Sequence, residues 1–433
     1  MPQIHDLIII GAGISGLIHL RYADLAGLSA LVLEREDAIG GLWRDLPSWQ
    51  DIQIRLADWT AGDLPLEGPS QPDILTNIHA WADRFDLHPR IRLGCPVLNA
   101  RHQGGLWEVN TPQGMLQCRH LVCASGVHNR PCLPHVERTG SGLEEVHSSQ
   151  LREPASLTGR VAVVVGGGAS ALDLLDLCLE HGASDVHWVY RGLKWFTPTT
   201  KPKTVAGSMR PYGRMQASGL SVEQQNALVG ADLVARYAKF GLEAILPARP
   251  LDLRQDQLIP GRARMLGRFA EVQRHPGSVT GLEGRSVVLA DGQRLEADML
   301  LWATGYETDL SYFANPAIAG LRSVPELAAR CGCIFRSLDE PNLYFTGVGL
   351  EGIGATSLLF ALSARTVMSH ILGRAHLDLD PIPHKLNHLD MIRHLAQRDP
   401  ASFAAEGGWE HYRDLTVTLA DDQAFPMPSL SPE

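Results

Sequence analysis

The sequence predicts an α/β protein with two Rossmann-like dinucleotide-binding domains. Two observations lead to this prediction. A strand–glycine turn–helix–strand unit occurs twice, about 155 residues apart, and each unit is followed later by a hairpin and a strand that runs into a glycine. Because the motifs of the first domain resume after those of the second, we expect the second domain to be inserted into a discontinuous first domain.

The first unit begins at the start of the chain. Asp6–Ile10 is an apolar run typical of a buried parallel strand, and Gly11-Ala-Gly13-Ile-Ser15-Gly16 follows it. A helix is predicted over Leu17–Ala26, and the next strand, Ala30–Leu33, ends on Glu34. The N–H groups of a helix N-terminus bind pyrophosphate, and a carboxylate at this strand end binds a ribose. The unit therefore predicts dinucleotide binding by Gly11, Gly13, Ser15, Gly16 and Glu34.

The second unit has the same order and ends on a different side chain. Strand Arg160–Val165 leads into Gly166-Gly-Gly168-Ala-Ser170-Ala171, helix Leu172–His181 and strand Asp185–Tyr190. Arg191 stands where the first unit has Glu34. A guanidinium suits a 2′-phosphate through bidentate charge-assisted bonds. We therefore predict that Gly166, Gly168, Ser170 and Arg191 bind NADPH, with a solvated surface arginine as the alternative for Arg191.

The remaining patterns predict how the chain is divided. Hairpins at 106–119 and 286–296 each lead into a strand that ends at a glycine, 120–126 and 298–306. A last strand over 342–347 and a helix from Thr356 to about Leu372 follow. The predicted segments are a first domain over 1–155 and 297–375, a second domain over 156–296 with an elaboration at 195–275, and a helical tail at 376–433.

Composition excludes several classes of protein. The chain has 433 residues and is 45% hydrophobic, which is enough apolar material for more than one core. A net charge of −10 argues against nucleic-acid binding. We read no signal peptide and no run of about 20 apolar residues that could cross a membrane. Seven cysteines without a Cys-x-x-Cys pair fit a reducing cytoplasm, and no metal-binding spacing is present.

Further motifs resemble the flavin-containing monooxygenases over about residues 5–370. Glu34-Arg35 is followed by Ile39-Gly-Gly41-Leu42-Trp43, where the family has Gly-Gly-x-Trp along its flavin. His120–Gly126 and Asp298–Tyr306 resemble the family's strands into Ala-Thr-Gly, and Leu343–Gly347 resembles its last flavin strand. The resemblance implies FAD in the first domain and NADPH in the second. It adds as cofactor-binding residues Arg35, Gly41, Leu42, Trp43, Thr304, Gly305 and Gly347.

The sequence departs from the family at its Phe-x-Gly-x-x-x-His signature. His147 is present, but Ser141, Leu143 and Leu151 replace the Phe, the Gly and the aromatic residue that follows the His. The Trp-Pro ending of the Baeyer–Villiger type is also missing, and together these departures argue against a Baeyer–Villiger enzyme. We interpret His147 as a hydrogen-bonded structural residue rather than a general base.

The resemblance also implies the chemistry. A monooxygenase of this family takes a small-molecule substrate and O₂ and oxygenates a nitrogen or sulfur through a C4a-(hydro)peroxyflavin. Arg55, Asp58 and Trp59 are candidates for substrate contacts, with surface or core duty as the alternative. Two other functions stay open: a reductase or oxidase of the same fold that inserts no oxygen, and a non-catalytic flavin sensor. The oligomeric state also stays open, with a homodimer as one option.

Overall fold

Two sheets rich in parallel strands form the centre of the protein. The computed structural model describes residues 3–52, 56, 64, 66–128, 130–198, 220–253, 256, 258–332, 335–346 and 356–373. The predicted tail at 376–433 lies outside these residues. Within them, no helix combines the length and the apolar character that crossing a membrane requires.

The first sheet has the strand order β3-β2-β1-β6-β5-β4, with β20 beside β6. Strand β1 runs parallel to β2 and β6, while β4, β5 and β6 form an antiparallel meander. The strands of this sheet are β1 Ile4–Ile10, β2 Ala30–Leu33, β3 Ile91–Arg92, β4 Asn99–Gln103, β5 Leu106–Thr111, β6 Gly114–Cys123 and β20 Leu343–Tyr344.

Helices cover the first sheet because its central strands are apolar on both faces. Residues Leu7–Ile10 of β1 are all buried, which is the pattern of a parallel strand enclosed on two sides. Helix α1 packs against β2 and against α9. The helices of this part are α1 Ile14–Leu25, α2 Leu42–Asp45, α3 Gln71–Arg84 and α9 Thr356–Ile371.

The second sheet is parallel throughout, with the order β14-β11-β10-β18-β9. Its strands are β9 Glu144–His147, β10 Val161–Val165, β11 Asp185–Tyr190, β14 Val272–Pro276 and β18 Met299–Trp302, and α4 Ala169–Glu180 follows β10. Both β9 and β18 lie outside the predicted range 156–296. The sheet therefore draws on residues on both sides of that range.

A smaller sheet of order β17-β16-β15-β8 packs on the second sheet. Its strands are β8 Glu137–Thr139, β15 Val279–Glu283, β16 Ser286–Leu289 and β17 Arg294–Glu296. Val287 and Leu295 share an apolar cluster with Val163, Val189 and Leu300 of the second sheet. Alternation along these strands places one apolar face on the cluster and the polar face in solvent.

Shorter elements complete the described chain. They are β7 Arg130–Pro131, β12 Phe196–Thr197, α5 Val222–Lys239, β13 Ile259–Pro260, α6 Ala263–Gly267, β19 Tyr306–Glu307, α7 Pro316–Ala319 and α8 Val324–Ala328, with 3₁₀ turns at His88–Arg90, Ser148–Gln150, Pro154–Leu157, Glu243–Ile245 and Phe269–Glu271. Helix α5 begins with a capping box, in which Ser221 and Gln224 each bond the backbone N–H of the other.

Two antiparallel linker segments, residues 130–132 and 304–307, join the two parts of the structure. The first part is the first sheet with its helices, and the second part is the second sheet with the smaller sheet. β7 pairs with β19, with Tyr306 opposite Pro131. The N–H of Cys132 donates to the carbonyl of Gly305 at 2.9 Å, and the Thr304 hydroxyl donates to the carbonyl of Cys132. The chain therefore leaves the first part and returns to it at the same place.

The predicted α/β class with two strand–turn–helix–strand units is confirmed. Strands Ala30–Leu33 and Asp185–Tyr190 have the predicted bounds. The last strand of the first sheet is shorter than predicted, with only Leu343 and Tyr344 paired to β6. It follows Asn342, whose φ of 56° is incompatible with a continuous strand.

Candidate dinucleotide-binding sites

The first glycine turn is built where three strand ends meet. The N–H of Gly11 donates to the carbonyl of Leu33 at 2.8 Å, and that of Ala124 donates to the carbonyl of Ile10 at 2.9 Å. A Cβ on Gly16 would lie 1.9 Å from the carbonyl oxygen of Gly11, so no larger residue fits there without movement. Glycine at Gly16 thus brings α1 onto the turn and aims its N-terminal N–H groups out of the sheet edge.

The second glycine turn repeats this construction. The N–H of Gly166 donates to the carbonyl of Val189 at 2.9 Å, and that of Ala303 donates to the carbonyl of Val165 at 2.8 Å. Ala171 takes the third position of the turn and is fully buried. Ser170 lies in the first turn of α4, and a Cβ on Gly168 would meet nothing within 4 Å. The space in front of Gly168 is therefore open to a phosphate.

Gly13 and Gly41 face each other across the first turn. A Cβ on Gly13 would lie 3.5 Å from the Cα of Gly41, and one on Gly41 would lie 2.8 Å from the Cα of Gly13. Leu42 and Trp43 follow in α2, and both are half-buried. The carbonyl of Trp43 accepts a hydrogen bond from the Gln71 side chain, which fixes α2 against α3. The two backbones are therefore in close contact here, and a side chain at either position would push the turn and α2 apart.

Ser15 carries an observation that points to a ligand. The residue is only 4% exposed, and its hydroxyl oxygen has no hydrogen-bond partner among the described residues. A buried hydroxyl without a partner costs about 1–3 kcal/mol. A phosphate oxygen at the N-terminus of α1 would supply the missing partner, so the residues present fit a dinucleotide.

Glu34 closes the first turn from the end of β2. Its carboxylate is buried and accepts from the N–H of Ala12 at 2.6 Å and from the N–H of Glu36 at 3.0 Å. Each carboxylate oxygen has a second lone pair that stays available for a ribose hydroxyl. Arg35 is exposed and pairs with Glu36 at 3.0 Å. Glu34 therefore both shapes the turn and presents acceptors at its edge.

The Glu34→Gln substitution tests this double role. We expect it to weaken FAD binding by about 10- to 100-fold, because an amide NH₂ would face a backbone N–H and a charge-assisted bond worth about 1.5–3 kcal/mol would be lost. The measurement is the FAD dissociation constant of the reconstituted apoprotein. Glu243→Gln, at an exposed position, is the matched control. Equal FAD affinity in Glu34→Gln and wild type would contradict the assignment.

Arg191 lies at the C-terminal end of β11 and is exposed. The loop that it opens lies on the second turn, where the N–H of Lys194 donates to the carbonyl of Gly167 at 3.2 Å. The predicted contrast between the two strand ends is therefore present in the structure. A buried carboxylate stands at the first turn and an exposed guanidinium at the second.

His147 ends β9 beside the linker, and both of its ring nitrogens are hydrogen-bonded. Its Nδ1 lies 3.3 Å from the N–H of Ser149, which can only donate, so Nδ1 is the acceptor and Nε2 carries the proton to the carbonyl of Gly305 at 3.1 Å. Burial lowers the pKa of His147 below its ordinary value. This neutral, fully bonded ring supports the interpretation of His147 as structural.

Thr304 and Gly305 belong to the linker segments rather than to either glycine turn. The other predicted site residues, Arg55, Asp58, Trp59 and Gly347, lie outside the described residues. Sequence reasoning missed three positions that the structure brings to the turns: Ala124 beside Gly11, Gly167 in the second turn, and Gly192 next to Arg191. The Ala-x-Gly segments 124–126 and 303–305 were a usable signal for Ala124. The contact between Gly167 and Gly192 had no signal in the sequence.

His19 ties the first turn's helix to the end of the last strand. It is fully buried, its Nδ1 lies 2.7 Å from the carbonyl oxygen of Ser15, and its Nε2 lies 2.7 Å from the hydroxyl of Thr346. A carbonyl can only accept, so Nδ1 carries the proton and Nε2 accepts from Thr346. Burial lowers the pKa of His19 to about 4.

This pKa predicts an acid-sensitive contribution to stability. The folded pKa of about 4 lies below the ordinary 6.5, so the contribution is complete above pH 6.5 and is lost as the pH falls towards 4. At about 1.4 kcal/mol per pH unit, the loss approaches 3 kcal/mol. We expect urea unfolding at a series of pH values to show this loss in wild type and a smaller loss in His19→Gln. Identical pH profiles for the two proteins would contradict the prediction.

These features define the class of the protein: an α/β fold with two dinucleotide-type turns that differ in the charge at the strand end. Comparison with known proteins gives the family. The model of the pyridine nucleotide-disulphide oxidoreductase family matches residues 8–228, about half of the chain, and the protein belongs to this family. The cysteines of the described residues are free thiols, Cys95, Cys118, Cys123, Cys132, Cys178 and Cys331.

The proteins that this chain resembles include named monooxygenases. The chain is 27% identical over 332 residues to a probable indole-3-pyruvate monooxygenase, YUCCA1 of Arabidopsis thaliana, covering 71% of this chain and 77% of that protein. A crystal structure of OTEMO with FAD and NADP superposes with a TM-score of 0.66 at 17% identity, covering 86% of each chain. A flavin-containing monooxygenase from Stenotrophomonas maltophilia gives 0.60 at 18% identity, covering 86% of this chain and 99% of that one. The predicted relationship to the flavin monooxygenases is confirmed.

Proposed function

We propose that the protein is an FAD- and NADPH-dependent monooxygenase that oxygenates a nitrogen or sulfur atom of a small molecule with O₂. The observation that carries the proposal is the pair of glycine turns, one closed by the buried carboxylate of Glu34 and the other flanked by the exposed guanidinium of Arg191. The cofactors FAD and NADP are present in the OTEMO structure, whose fold this chain shares.

The residues of the two turns have distinct tasks in this proposal. The N–H groups at the start of α1 and the Ser15 hydroxyl would hold the FAD pyrophosphate, and Glu34 would hold its ribose. The N–H groups at the start of α4 would hold the NADPH pyrophosphate, and Arg191 its 2′-phosphate. Bound FAD supplies the redox chemistry, which consists of taking hydride from NADPH and reacting with O₂.

The titratable groups near the linker and the first turn favour a substrate that brings its own electron pair. Burial raises the pKa of Cys123 and of Tyr306 above their ordinary values, so neither side chain is an anion near neutral pH. His147 is neutral and has both ring nitrogens bonded. Because these groups offer no strong nucleophile or base, we favour an amine nitrogen or a thioether sulfur, which attacks through its own lone pair.

Product analysis under oxygen-18 gas tests the proposal. The FAD-loaded protein would be given NADPH and, in separate reactions, methyl phenyl sulfide, N,N-dimethylaniline, cyclohexanone or indole-3-pyruvate. We expect one labelled oxygen in the sulfoxide or the N-oxide, with NADPH consumed in a one-to-one ratio to product. Free FAD with NADPH is the blank, because reduced flavin in solution makes peroxide.

Each other result has a definite meaning. Label only in the products of cyclohexanone or indole-3-pyruvate would keep the monooxygenase class and overturn the choice of nitrogen or sulfur. If NADPH is oxidised, an equal amount of hydrogen peroxide forms and the substrates are recovered unchanged, the protein is a reductase or oxidase. FAD binding without any NADPH oxidation would assign a flavin sensor.

A further inference from the structure

Gly167, the middle residue of the second turn, lies directly against the loop that begins at Arg191. A Cβ built on Gly167 would be 1.9 Å from the carbonyl oxygen of Gly192 and 3.4 Å from the Cα of Leu193. The carbonyl of Gly167 accepts a hydrogen bond from the N–H of Lys194 at 3.2 Å. The loop therefore touches one residue of the turn at two points, through backbone atoms on both sides.

We propose that Gly167 is a positioning residue that sets the preference of the enzyme for NADPH over NADH. By carrying no side chain, it lets the loop of residues 191–194 lie on the phosphate-binding turn, which holds Arg191 beside the position of the 2′-phosphate. The inference rests on the proposed function, in which Arg191 binds that phosphate.

The requirement at Gly167 is one of space and not of backbone conformation. Gly166 has a φ of +144°, whereas Gly167 has no positive φ, so an alanine could adopt its backbone angles. What excludes alanine is the Gly192 carbonyl, because real Cβ atoms do not approach an oxygen to less than 3.0 Å. Backbone atoms cannot rotate away as a flexible side chain would. An added methyl group must therefore displace the loop or the turn.

The neighbouring glycines isolate this contact. A Cβ on Gly168 or on Gly192 would meet nothing within 4 Å, and one on Gly166 would meet Ala303 instead of the loop. Within the second turn, Gly167 is thus the residue whose size controls the distance to the Arg191 loop.

In the first turn, the residue at the strand end is held beside the turn by a different contact. Its middle residue is Ala12, which has a Cβ and is fully buried. There the strand end is tied to the turn by a side chain, since the Glu34 carboxylate accepts from the N–H of Ala12 at 2.6 Å. Arg191 is longer and exposed, so its position depends on the backbone of its own loop. This arrangement requires a residue without a side chain at position 167.

Steady-state kinetics of the FAD-loaded enzyme with NADPH and with NADH test the inference. We expect Gly167→Ala to raise KM for NADPH at least about 10-fold more than it raises KM for NADH, because only NADPH uses the charge-assisted phosphate contact. Gly230→Ala is the matched control, since a Cβ there would lie 3.8 Å from Leu251 and the residue lies within α5.

A double-mutant cycle separates a positioning role from a general structural one. If Gly167 acts through Arg191, the Arg191→Ala and Gly167→Ala/Arg191→Ala enzymes should have the same ratio of KM values for the two cofactors. Lys194→Pro removes the N–H that donates to the Gly167 carbonyl. Like Gly167→Ala, it should raise the ratio of KM for NADPH to KM for NADH. This second variant keeps the test available if Gly167→Ala does not fold.

The outcomes distinguish the inference from the proposed function. Equal rises in KM for NADPH and NADH, or effects of the two substitutions that add in the cycle, would overturn the role of Gly167. An Arg191→Ala enzyme with an unchanged cofactor preference would overturn the assignment of Arg191 in the proposed function itself.

Discussion

Gly13→Val is expected to yield a folded protein that purifies without FAD. The added methyl groups would push the first turn and α2 apart, since a single Cβ on Gly13 would already lie 3.5 Å from the Cα of Gly41. Overpacking of this kind costs about 1–3 kcal/mol, and the displaced N–H groups would lose their contacts to pyrophosphate as well. Gly13 has φ −74°, which valine adopts readily, so the fold itself should form.

The measurement is the ratio of flavin to protein absorbance after purification, together with circular dichroism to verify folding. Gly13→Ala should lie between wild type and Gly13→Val, because 3.5 Å is an ordinary contact distance for a single methyl group. Gly267→Val is the control for a glycine-to-valine change, since that exposed position has nothing within 4 Å. A yellow Gly13→Val protein with full flavin content would refute the proposed binding mode.

Arg191→Ala is expected to remove most of the discrimination between NADPH and NADH. A charge-assisted contact to a phosphate is worth about 1.5–3 kcal/mol, so KM for NADPH should rise about 10- to 100-fold. KM for NADH should change little, because NADH has a hydroxyl at that position. Parallel titrations of both cofactors at fixed ionic strength measure the two effects, and salt must be held constant because the residue is exposed.

Arg236→Ala supplies the control for loss of a positive charge. Arg236 is an exposed arginine on α5 that pairs with Asp232 one helical turn away. The Arg236→Ala substitution should leave KM for NADPH and KM for NADH unchanged. If Arg191→Ala raised KM equally for NADPH and NADH, Arg191 would be a surface residue with no part in recognising the phosphate.

The parts of the structure that depend on short stretches of sequence could be predicted. Both strand–turn–helix–strand units and the hairpin at Ser286–Glu296 follow from local periodicity and glycine positions. The contrast between Glu34 and Arg191 was readable for the same reason, since each residue directly follows an apolar strand. These features need no knowledge of the rest of the chain.

The parts that depend on distant pairing could not be predicted. Strand β9 joins the second sheet because Glu144–His147 pairs with Met299–Trp302, about 155 residues later in the chain. The hydrogen bond between His19 and Thr346 spans 327 residues. Gly167 and Gly192 meet only because β10 and β11 bring their loops to one sheet edge. Such contacts are set by the packing of whole elements, and no local pattern specifies them.

The pairing of β7 with β19 has a consequence for the modularity of the chain. Residues 132 and 305 lie side by side, so the stretch between them begins and ends at one point on the surface of the first part. Segments whose ends are this close can be exchanged with little disturbance to their host. We therefore expect that the cofactor preference could be replaced as a unit, by transplanting residues 133–304 from a relative, without redesign of the first sheet.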